Sequence, residues 1–171
     1  MSPTKLVTVW YLAMERPEEL QPATDARAPH ATIAVEGDPA LNRSLYHEIG
    51  AAHHWVDLRA HDVDWWRSRL SDRTTLVARV DGNPAGYAEL APKPDGSVDL
   101  AYFGIRSEHQ GRGLGGHLLS TAVRFAWDEL RANRVTVDTC SLDGPGALTN
   151  YERRGFRLAR EAKERRGLLA D

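Results

Sequence analysis

The stretch HQGRGLGGHLL, residues 109–119, places four glycines within six residues, directly ahead of an apolar run. Glycine suits positions where the backbone must approach a ligand closely, because it has no Cβ. A glycine-rich loop that opens a helix also offers free backbone N–H groups and the positive end of the helix dipole. The stretch therefore predicts a pyrophosphate-binding loop at residues 110–116, at the start of a helix.

The same letters can be read in two frames, and each frame predicts a different cofactor. Gly111, Gly113 and Gly116 satisfy the dinucleotide pattern G-x-G-x-x-G, and Asp138 ends the next predicted strand, near where a ribose-binding acid is expected. In the second frame, Gln110 begins the pattern Q-x-x-G-x-G. A P-loop is excluded because no Gly-Lys-Ser/Thr follows.

Length and composition limit the class of protein. The chain has 171 residues, 42% hydrophobic and 27% charged, with a net charge of -2. We expect one domain over residues 1–171 with an ordered core, and no nucleic-acid partner. The single cysteine, Cys140, excludes an internal disulfide and suits a reducing compartment. Because no apolar run is long enough for a signal peptide or a membrane span, we expect a cytoplasmic protein without a membrane partner.

Periodicity and turn residues predict a mixed α/β chain. We expect a strand at residues 6–14, a proline-rich loop over residues 15–40, and a helix that Asp38 caps and Gly50 ends. The polar tail from Ala162 is expected to fray. Between them we expect a helix at residues 62–72, three strands of a meander at 74–81, 85–92 and 97–105, and a long helix at 114–130. A strand at 133–140, a short helix at 146–156 and a last strand at 156–160 follow.

This element order counts against the dinucleotide frame. In the dinucleotide-binding fold the first glycine follows its strand almost at once, whereas RSEHQ (residues 106–110) intervenes here. That fold also repeats βαβ units, whereas a meander precedes this loop. A dinucleotide-dependent oxidoreductase is therefore the less favoured alternative.

The second frame resembles the acyl-CoA-binding motif of the GNAT (GCN5-related) N-acetyltransferase superfamily, in LAYFGIRSEHQGRGLGGHLL, residues 100–119. Residues 134–156, RVTVDTCSLDGPGALTNYERRGF, are similar to that family's last strand–helix–strand unit. The resemblance implies an α/β fold with a mixed, mainly antiparallel central sheet, flanking helices and a splayed strand pair. It also implies a CoA-dependent N-acyltransferase that moves acetyl from acetyl-CoA to a primary amine of a small molecule, by direct attack in a ternary complex.

The resemblance also implies where acetyl-CoA binds. The pantetheine arm would bind the free edge of residues 100–105, through the backbone around Phe103, Gly104 and Ile105. Arg106 and Arg112 would contact phosphate, although either could equally be a solvated charge. The pyrophosphate would lie on the loop residues Gln110, Gly111, Arg112, Gly113, Leu114, Gly115 and Gly116.

Acyl transfer to an amine requires an acid and a base. An alkyl ammonium with a pKa of roughly 10 must lose a proton, and a leaving thiolate with a pKa of roughly 8.5 must gain one. By the resemblance, Tyr151 points at the CoA sulfur as the acid; the alternative is a tyrosine ring packed on the sheet. Asp99 and Glu89, on adjacent predicted strands, are the candidate bases, unless they are merely exposed or paired with an arginine.

The acceptor site is expected near the end of the strand that carries Asp138. This carboxylate would favour a cationic acceptor, unless it only caps a turn. Tyr46, Trp55 and Glu89 are further candidates for contact with the acceptor. Cys140 is expected to be a small buried group rather than a nucleophile. No metal is expected, because the histidines lack a ligand spacing.

The sequence departs from the family pattern at one place. Many members carry an asparagine shortly before the tyrosine helix, whereas LDGPGAL, residues 142–148, stands here and Asn150 lies beside Tyr151. How that side of acetyl-CoA is held stays open. A non-catalytic acyl-CoA-binding module is the first alternative to an enzyme. The oligomeric state also stays open, with a homodimer among the alternatives.

Overall fold

The computed structural model of the protein describes residues 2–23 and 30–170. Its centre is one seven-stranded sheet with strand order β2-β3-β4-β5-β6-β1-β7. The strands are β1 (Thr4–Met14), β2 (Ala31–Val35), β3 (Thr74–Val80), β4 (Asn83–Pro92), β5 (Ser97–Ile105), β6 (Arg134–Cys140) and β7 (Arg157–Gly167). The helices are α1 (Pro39–Ala51), α2 (Val63–Arg69), α3 (Leu114–Asp128) and α4 (Ala147–Arg153).

The sheet has two halves that the chain builds differently. In the first half-sheet, β2 to β5, each strand pairs antiparallel with the next in chain order. In the second half-sheet, β6, β1 and β7, the N-terminal strand lies between two C-terminal strands and is antiparallel to both. The halves meet where β5 and β6 run parallel, paired only over 97–99 and 134–136. The predicted mixed, mainly antiparallel sheet with a splayed strand pair is confirmed.

Helices cover both faces of the first half-sheet, because β3 and β4 are apolar on both sides. Leu76 and Ala88 belong to the main core, which includes the apolar face of α3. On the neighbouring strand positions, Val77 and Tyr87 point the other way and pack with the buried residues of α1 and α2. The first half-sheet is thus fixed between α3 on one face and α1 with α2 on the other.

Local capping explains where the first two helices begin. Asp38 precedes α1 and accepts hydrogen bonds from the backbone N–H groups of Ala40 and Leu41, at 2.9 and 3.5 Å. Asp62 caps α2 in the same way, through the N–H of Trp65 at 2.9 Å. The predicted cap at Asp38 is confirmed.

The structure differs from the sequence prediction at two strands. β2 lies inside the segment expected to be loop, as a five-residue edge strand paired with β3. The tail expected to fray is ordered as far as Gly167, which pairs with Thr4 in a strand of eleven residues. Its charged sequence reflects its place at the sheet edge, where charged side chains discourage pairing with another chain.

Two smaller findings complete the fold. The long helix ends at Asp128, two residues earlier than expected, and the N–H groups of Glu129 and Leu130 both bond to the Phe125 carbonyl. Among the described residues, no helix is long and apolar enough to cross a membrane.

Candidate active site

A cavity of about 650 Å³ lies where β5 and β6 diverge. Their ladder ends at Asp99 and Thr136, so residues 100–105 of β5 and 137–140 of β6 form its two side walls. The glycine loop, α4 and residues 53–57, after α1, complete the lining. The splay thus brings segments from both half-sheets around one space.

The four glycines of the loop have different structural roles. Gly111 and Gly113 have φ angles of +75° and +81°, a region that L-residues rarely occupy. Gly116 packs against the chain, since a Cβ there would lie 2.9 Å from the Ala23 Cβ. At Gly115, a Cβ would meet only an Ile105 side-chain carbon, at 3.7 Å, and this residue borders the cavity.

The helix that follows, α3, begins at the glycine loop, and its free N–H groups lie at this start. Gly113 is the N-cap of α3, and the first intrahelical bond runs from His117 N–H to the Gly113 carbonyl at 3.2 Å. The N–H groups of residues 114–116 therefore lack helical acceptors, and they lie at the positive end of the helix dipole, an arrangement that favours an anion. Leu114 itself is buried in the core and anchors the helix start.

The polar residues beside the glycines divide into structural and exposed groups. The Gln110 side-chain amide donates to the Ile105 carbonyl at 3.0 Å and closes the loop against β5. Arg106 is held by Glu48 and Glu108, at 2.7 and 3.2 Å, so its predicted phosphate contact would compete with two ion pairs. Arg112 is exposed beside the helix start.

Tyr151 lies in the wall of the cavity on α4, with only 7% of its surface exposed. Phe103 and Phe156 pack edge-to-face on its ring, with centroids 6.1 and 5.9 Å away. Burial raises the pKa of its hydroxyl well above the ordinary value, and the nearby carboxylates of Asp143, Asp138 and Asp99 raise it further. The hydroxyl therefore keeps its proton at neutral pH.

The two sequence-predicted bases are both engaged by other residues. Glu89 is 1% exposed, and its two carboxylate oxygens accept from Arg69 at 3.2 and 2.9 Å. It lies on β4 and does not line the cavity, so the structure gives it the arginine-paired arrangement. Asp99 accepts a hydrogen bond from the Thr136 hydroxyl at 2.7 Å, at the last paired position before the splay, and the cavity wall begins at the next residue.

Asp138 is the carboxylate that the second half-sheet presents to the cavity. Its side chain is 44% exposed and lies 3.8 Å from Arg166 of β7. The cavity walls displace water from around it, and this desolvation, together with Asp99, raises its pKa, while Arg166 lowers it.

A tight turn occupies the place of the asparagine that the family pattern leads one to expect. Asp143 accepts from the Thr139 hydroxyl at 2.7 Å and from the Cys140 N–H at 2.9 Å, which folds the chain from β6 towards α4. Asn150 and Asp143 both line the cavity. Cys140 is partly buried there, and burial raises the pKa of its thiol, which is the reverse of what activates a nucleophile.

Aromatic residues also line the cavity. Trp55 and Tyr102 line it, with ring centroids 5.0 Å apart. Tyr46, a predicted acceptor contact, is instead fully buried behind them, and its hydroxyl accepts from the Leu58 N–H at 3.1 Å. It supports Trp55 at 5.5 Å rather than reaching the cavity.

The residues that line the cavity and that sequence reasoning missed include Tyr102, His54 and Arg166. Strand alternation on β5 could have indicated Tyr102. Arg166 lay in the tail that was expected to fray, so only the pairing of β7 with β1 reveals it. His54 is tied to the same tail, because its Nδ1 accepts from the Leu169 N–H at 3.1 Å.

Solved structures of other proteins share this architecture. A GCN5-related N-acetyltransferase from Kribbella flavida is 22% identical, with a TM-score of 0.68 over 98% of this chain and 61% of that one. A second, from Sphaerobacter thermophilus, is 18% identical, with a TM-score of 0.69 over 95% of this chain and 52% of that one. The chain thus spans between half and two thirds of these solved chains. No curated protein matches it.

These structural likenesses are at low identity and establish the fold. The sequence itself identifies the family, since residues 41–156 match the profile described as the acetyltransferase (GNAT) family. This match covers most of the chain, including the glycine loop, Asp138 and Tyr151. The chain therefore belongs to the GNAT acetyltransferase family.

Proposed function

We propose that the protein is an N-acetyltransferase that uses acetyl-CoA and acetylates a primary amine of a small cationic molecule. The observation that carries the proposal is the continuity of one cavity. The same cavity borders the glycine loop, the unpaired edge of β5 and the Tyr151 side chain. A phosphate site, an extended backbone edge and a proton donor therefore surround one space, as a long acyl thioester requires.

The residues present fit acetyl-CoA. The N–H groups of residues 114–116 and the two left-handed glycines would hold the pyrophosphate, since phosphate binds well at a helix start. β6 pairs with β5 only as far as Asp99, so the backbone around Phe103 and Ile105, farther along β5, would hold the pantetheine arm. When bound, acetyl-CoA supplies the activated acyl group.

Tyr151 would protonate the leaving sulfur. Its raised pKa keeps the hydroxyl protonated at neutral pH, and the two phenylalanine contacts fix the ring. The cavity limits water around the reacting atoms, which favours attack by a bound amine over hydrolysis.

The charged residues of the cavity suit a cationic acceptor. Of the residues that line it within the described chain, three are carboxylates and one is a guanidinium, Asp57, Asp138, Asp143 and Arg166 respectively. The faces of Trp55 and Tyr102 also attract organic cations. An amine with a second positive charge would therefore bind better than one with a neutral tail.

An amine panel tests the proposal. Free thiol is measured after acetyl-CoA is mixed with putrescine, agmatine, butylamine or tyramine. We expect turnover, with putrescine ahead of butylamine, which differs from it by one ammonium group. Acetyl-CoA binding without turnover of any amine would instead indicate an acyl-CoA-binding module. Thermal stabilisation by NAD(P) and not by CoA would contradict the proposal altogether.

Tyr151→Phe tests the acid. We expect kcat to fall about 100-fold, because a positioned acid contributes at least that much, with the Kd of acetyl-CoA unchanged. Tyr102→Phe is the matched control, since it removes a hydroxyl from another residue that lines the same cavity. An unchanged kcat in Tyr151→Phe would show that the ring only packs on the sheet.

A further inference from the structure

We propose that Asp138 accepts the proton of the acceptor amine, and that Arg166, from the last strand, positions the Asp138 carboxylate. This inference rests on the proposed acetyltransferase function. It assigns the base to the second half-sheet, away from the two carboxylates of β4 and β5 that the sequence favoured.

Asp138 is placed for this role by the splay of the strands. It lies two residues past Thr136, the last residue of β6 that pairs with β5, and it borders the same cavity as Tyr151. With 44% of its side chain exposed to this space, its carboxylate can reach a bound amine or a water beside it. Glu89 is outside the cavity and Asp99 is bonded to Thr136, so neither matches this access.

Arg166 connects Asp138 to the rest of β7. Its Nη2 lies 3.8 Å from Asp138 Oδ2 and 3.0 Å from Glu164 Oε2. Tyr11, the residue of β1 opposite Asp138, donates its hydroxyl to Glu164. Glu164 thus holds the guanidinium from its own strand, and Tyr11 holds Glu164 from β1. Arg166 can therefore restrain the Asp138 carboxylate without neutralising it through close contact.

Charged and titratable groups face Asp138 from every neighbouring element. β5 contributes Asp99, the turn before α4 contributes Asp143, and α4 contributes the protonated Tyr151. β7 contributes Arg166 and Glu164, and β1 contributes Tyr11. The loop after α1 adds His53, His54 and Asp57 to the same cavity. Asp99, Asp143 and Glu164 raise the Asp138 pKa, whereas Arg166 lowers it.

The proton balance of the step is complete. Asp138 takes one proton from the ammonium, which frees the nitrogen lone pair to form the C–N bond. The C–S bond breaks with its electron pair on sulfur, and Tyr151 supplies the proton that makes the thiol. The nitrogen, now bonded to carbon, releases a second proton that restores Tyr151. Asp138 returns its proton to solvent, so one proton leaves per turnover.

The test is the pH profile of kcat/KM, measured with the fastest amine of the panel. Asp138→Asn should lower the rate about 100-fold or more and remove the fall in activity at acidic pH. Arg166→Gln removes the group that lowers the Asp138 pKa, so the acid limb should move to higher pH. Asp99→Asn removes a group that raises this pKa, so the limb should move to lower pH while most of the rate remains.

Arg166→Gln and Asp99→Asn each replace a charged side chain with an uncharged amide. Shifts of the acid limb in opposite directions are not expected if these residues only support the fold. The inference is overturned if Asp138→Asn keeps the parent rate and profile, if Asp99→Asn causes the larger loss, or if both flanking variants leave the limb in place. Binding of acetyl-CoA by each variant shows that it is folded. If the parent itself acetylates no amine, the proposed function fails and this inference falls with it; turnover that survives Asp138→Asn refutes the inference alone.

Discussion

The two half-sheets contribute different chemistry to one cavity. The first half-sheet, built from neighbouring hairpins, supplies mainly backbone: the open edge of β5 and, just after it, the N–H groups of the glycine loop. The second supplies side chains that carry charge and protons, Asp138 and Arg166, with Tyr151 between two of its strands. A binding site made of backbone groups can be predicted from a glycine-rich motif. A single catalytic Asp or Tyr has no comparable sequence pattern.

The halves are also held together differently. The first contains a charged pair deep in its packing, since Glu89 is 1% exposed and Arg69 15%. In the second, the charged contacts lie towards the surface, as in the pair of Arg166 and Glu164, which are each about one third exposed. The first half-sheet should therefore depend more on a buried ion pair than the second, which should depend more on backbone fit.

Glu89→Gln should have the largest effect on stability. The change leaves the Arg69 guanidinium buried without its counter-charge, which costs about 3–5 kcal/mol of unfolding free energy. Urea denaturation measures the loss. In the variant that remains folded at low temperature, kcat should stay near that of the parent, because Glu89 is outside the cavity.

The double variant Arg69→Met with Glu89→Met is the control for this pair. It removes both members of the close pair, so it should recover the part of the loss that Arg69 causes; Arg73, 3.9 Å from Glu89, keeps its charge in both variants. A collapse of kcat in a folded Glu89→Gln protein would return Glu89 to the list of catalytic residues and would undo the division of roles between the halves.

Gly155→Ala should destabilise the second half-sheet and lower the free energy of unfolding by about 3 kcal/mol. Gly155 joins α4 to β7 with a φ of +104°, and a Cβ there would lie 1.9 Å from the Glu19 carbonyl oxygen. Since both atoms are close to the backbone, no side-chain rotation relieves the clash. The midpoint of urea denaturation is the measurement.

Gly146→Ala is the matched control, at the other end of α4. A Cβ there meets nothing within 4 Å and its φ is −91°, so stability should hold or rise slightly. Equal losses from the two variants would show that α4, rather than the junction with β7, is sensitive to any added methyl group.

The same contrast explains what the sequence could predict. Alternation and turns located β3, β4 and β5, and the glycine loop indicated a pyrophosphate site, because each depends on nearby residues. The position of β1 between β6 and β7 depends on pairing across the whole chain, as between Thr4 and Gly167. Without that pairing, the polar residues of β7 resemble a tail, and Arg166 could not be placed beside Asp138.

Glu89 shows the corresponding limit within the first half-sheet. Its strand was predicted, but its role depends on Arg69, twenty residues earlier on a helix that crosses the sheet. Strand alternation gives the face on which a side chain lies and not the partner it meets there. A carboxylate at a plausible spacing therefore could not be told from a buried ion pair.

The smallest predicted effect is a pH dependence in α1, which supports the first half-sheet. Burial lowers the pKa of His47, and the neighbouring Arg59 and Arg43 lower it further. Arg59 donates to His47 Nδ1 at 3.2 Å, a bond that requires the neutral ring. The unfolded chain thus binds a proton more readily, so His47 does not lower the stability of the fold above its ordinary pKa and lowers it progressively as the pH falls below that value.

His47→Gln, which keeps an acceptor for Arg59, should reduce the loss of stability between pH 7.5 and pH 5 by less than about 1 kcal/mol, because the ring is partly exposed. Urea midpoints at the two pH values measure this difference, and His30→Gln, an exposed histidine beside β2, is the control. If the urea midpoint of the parent protein is the same at pH 7.5 and pH 5, protonation of His47 does not destabilise the packed face of α1, and the prediction is wrong.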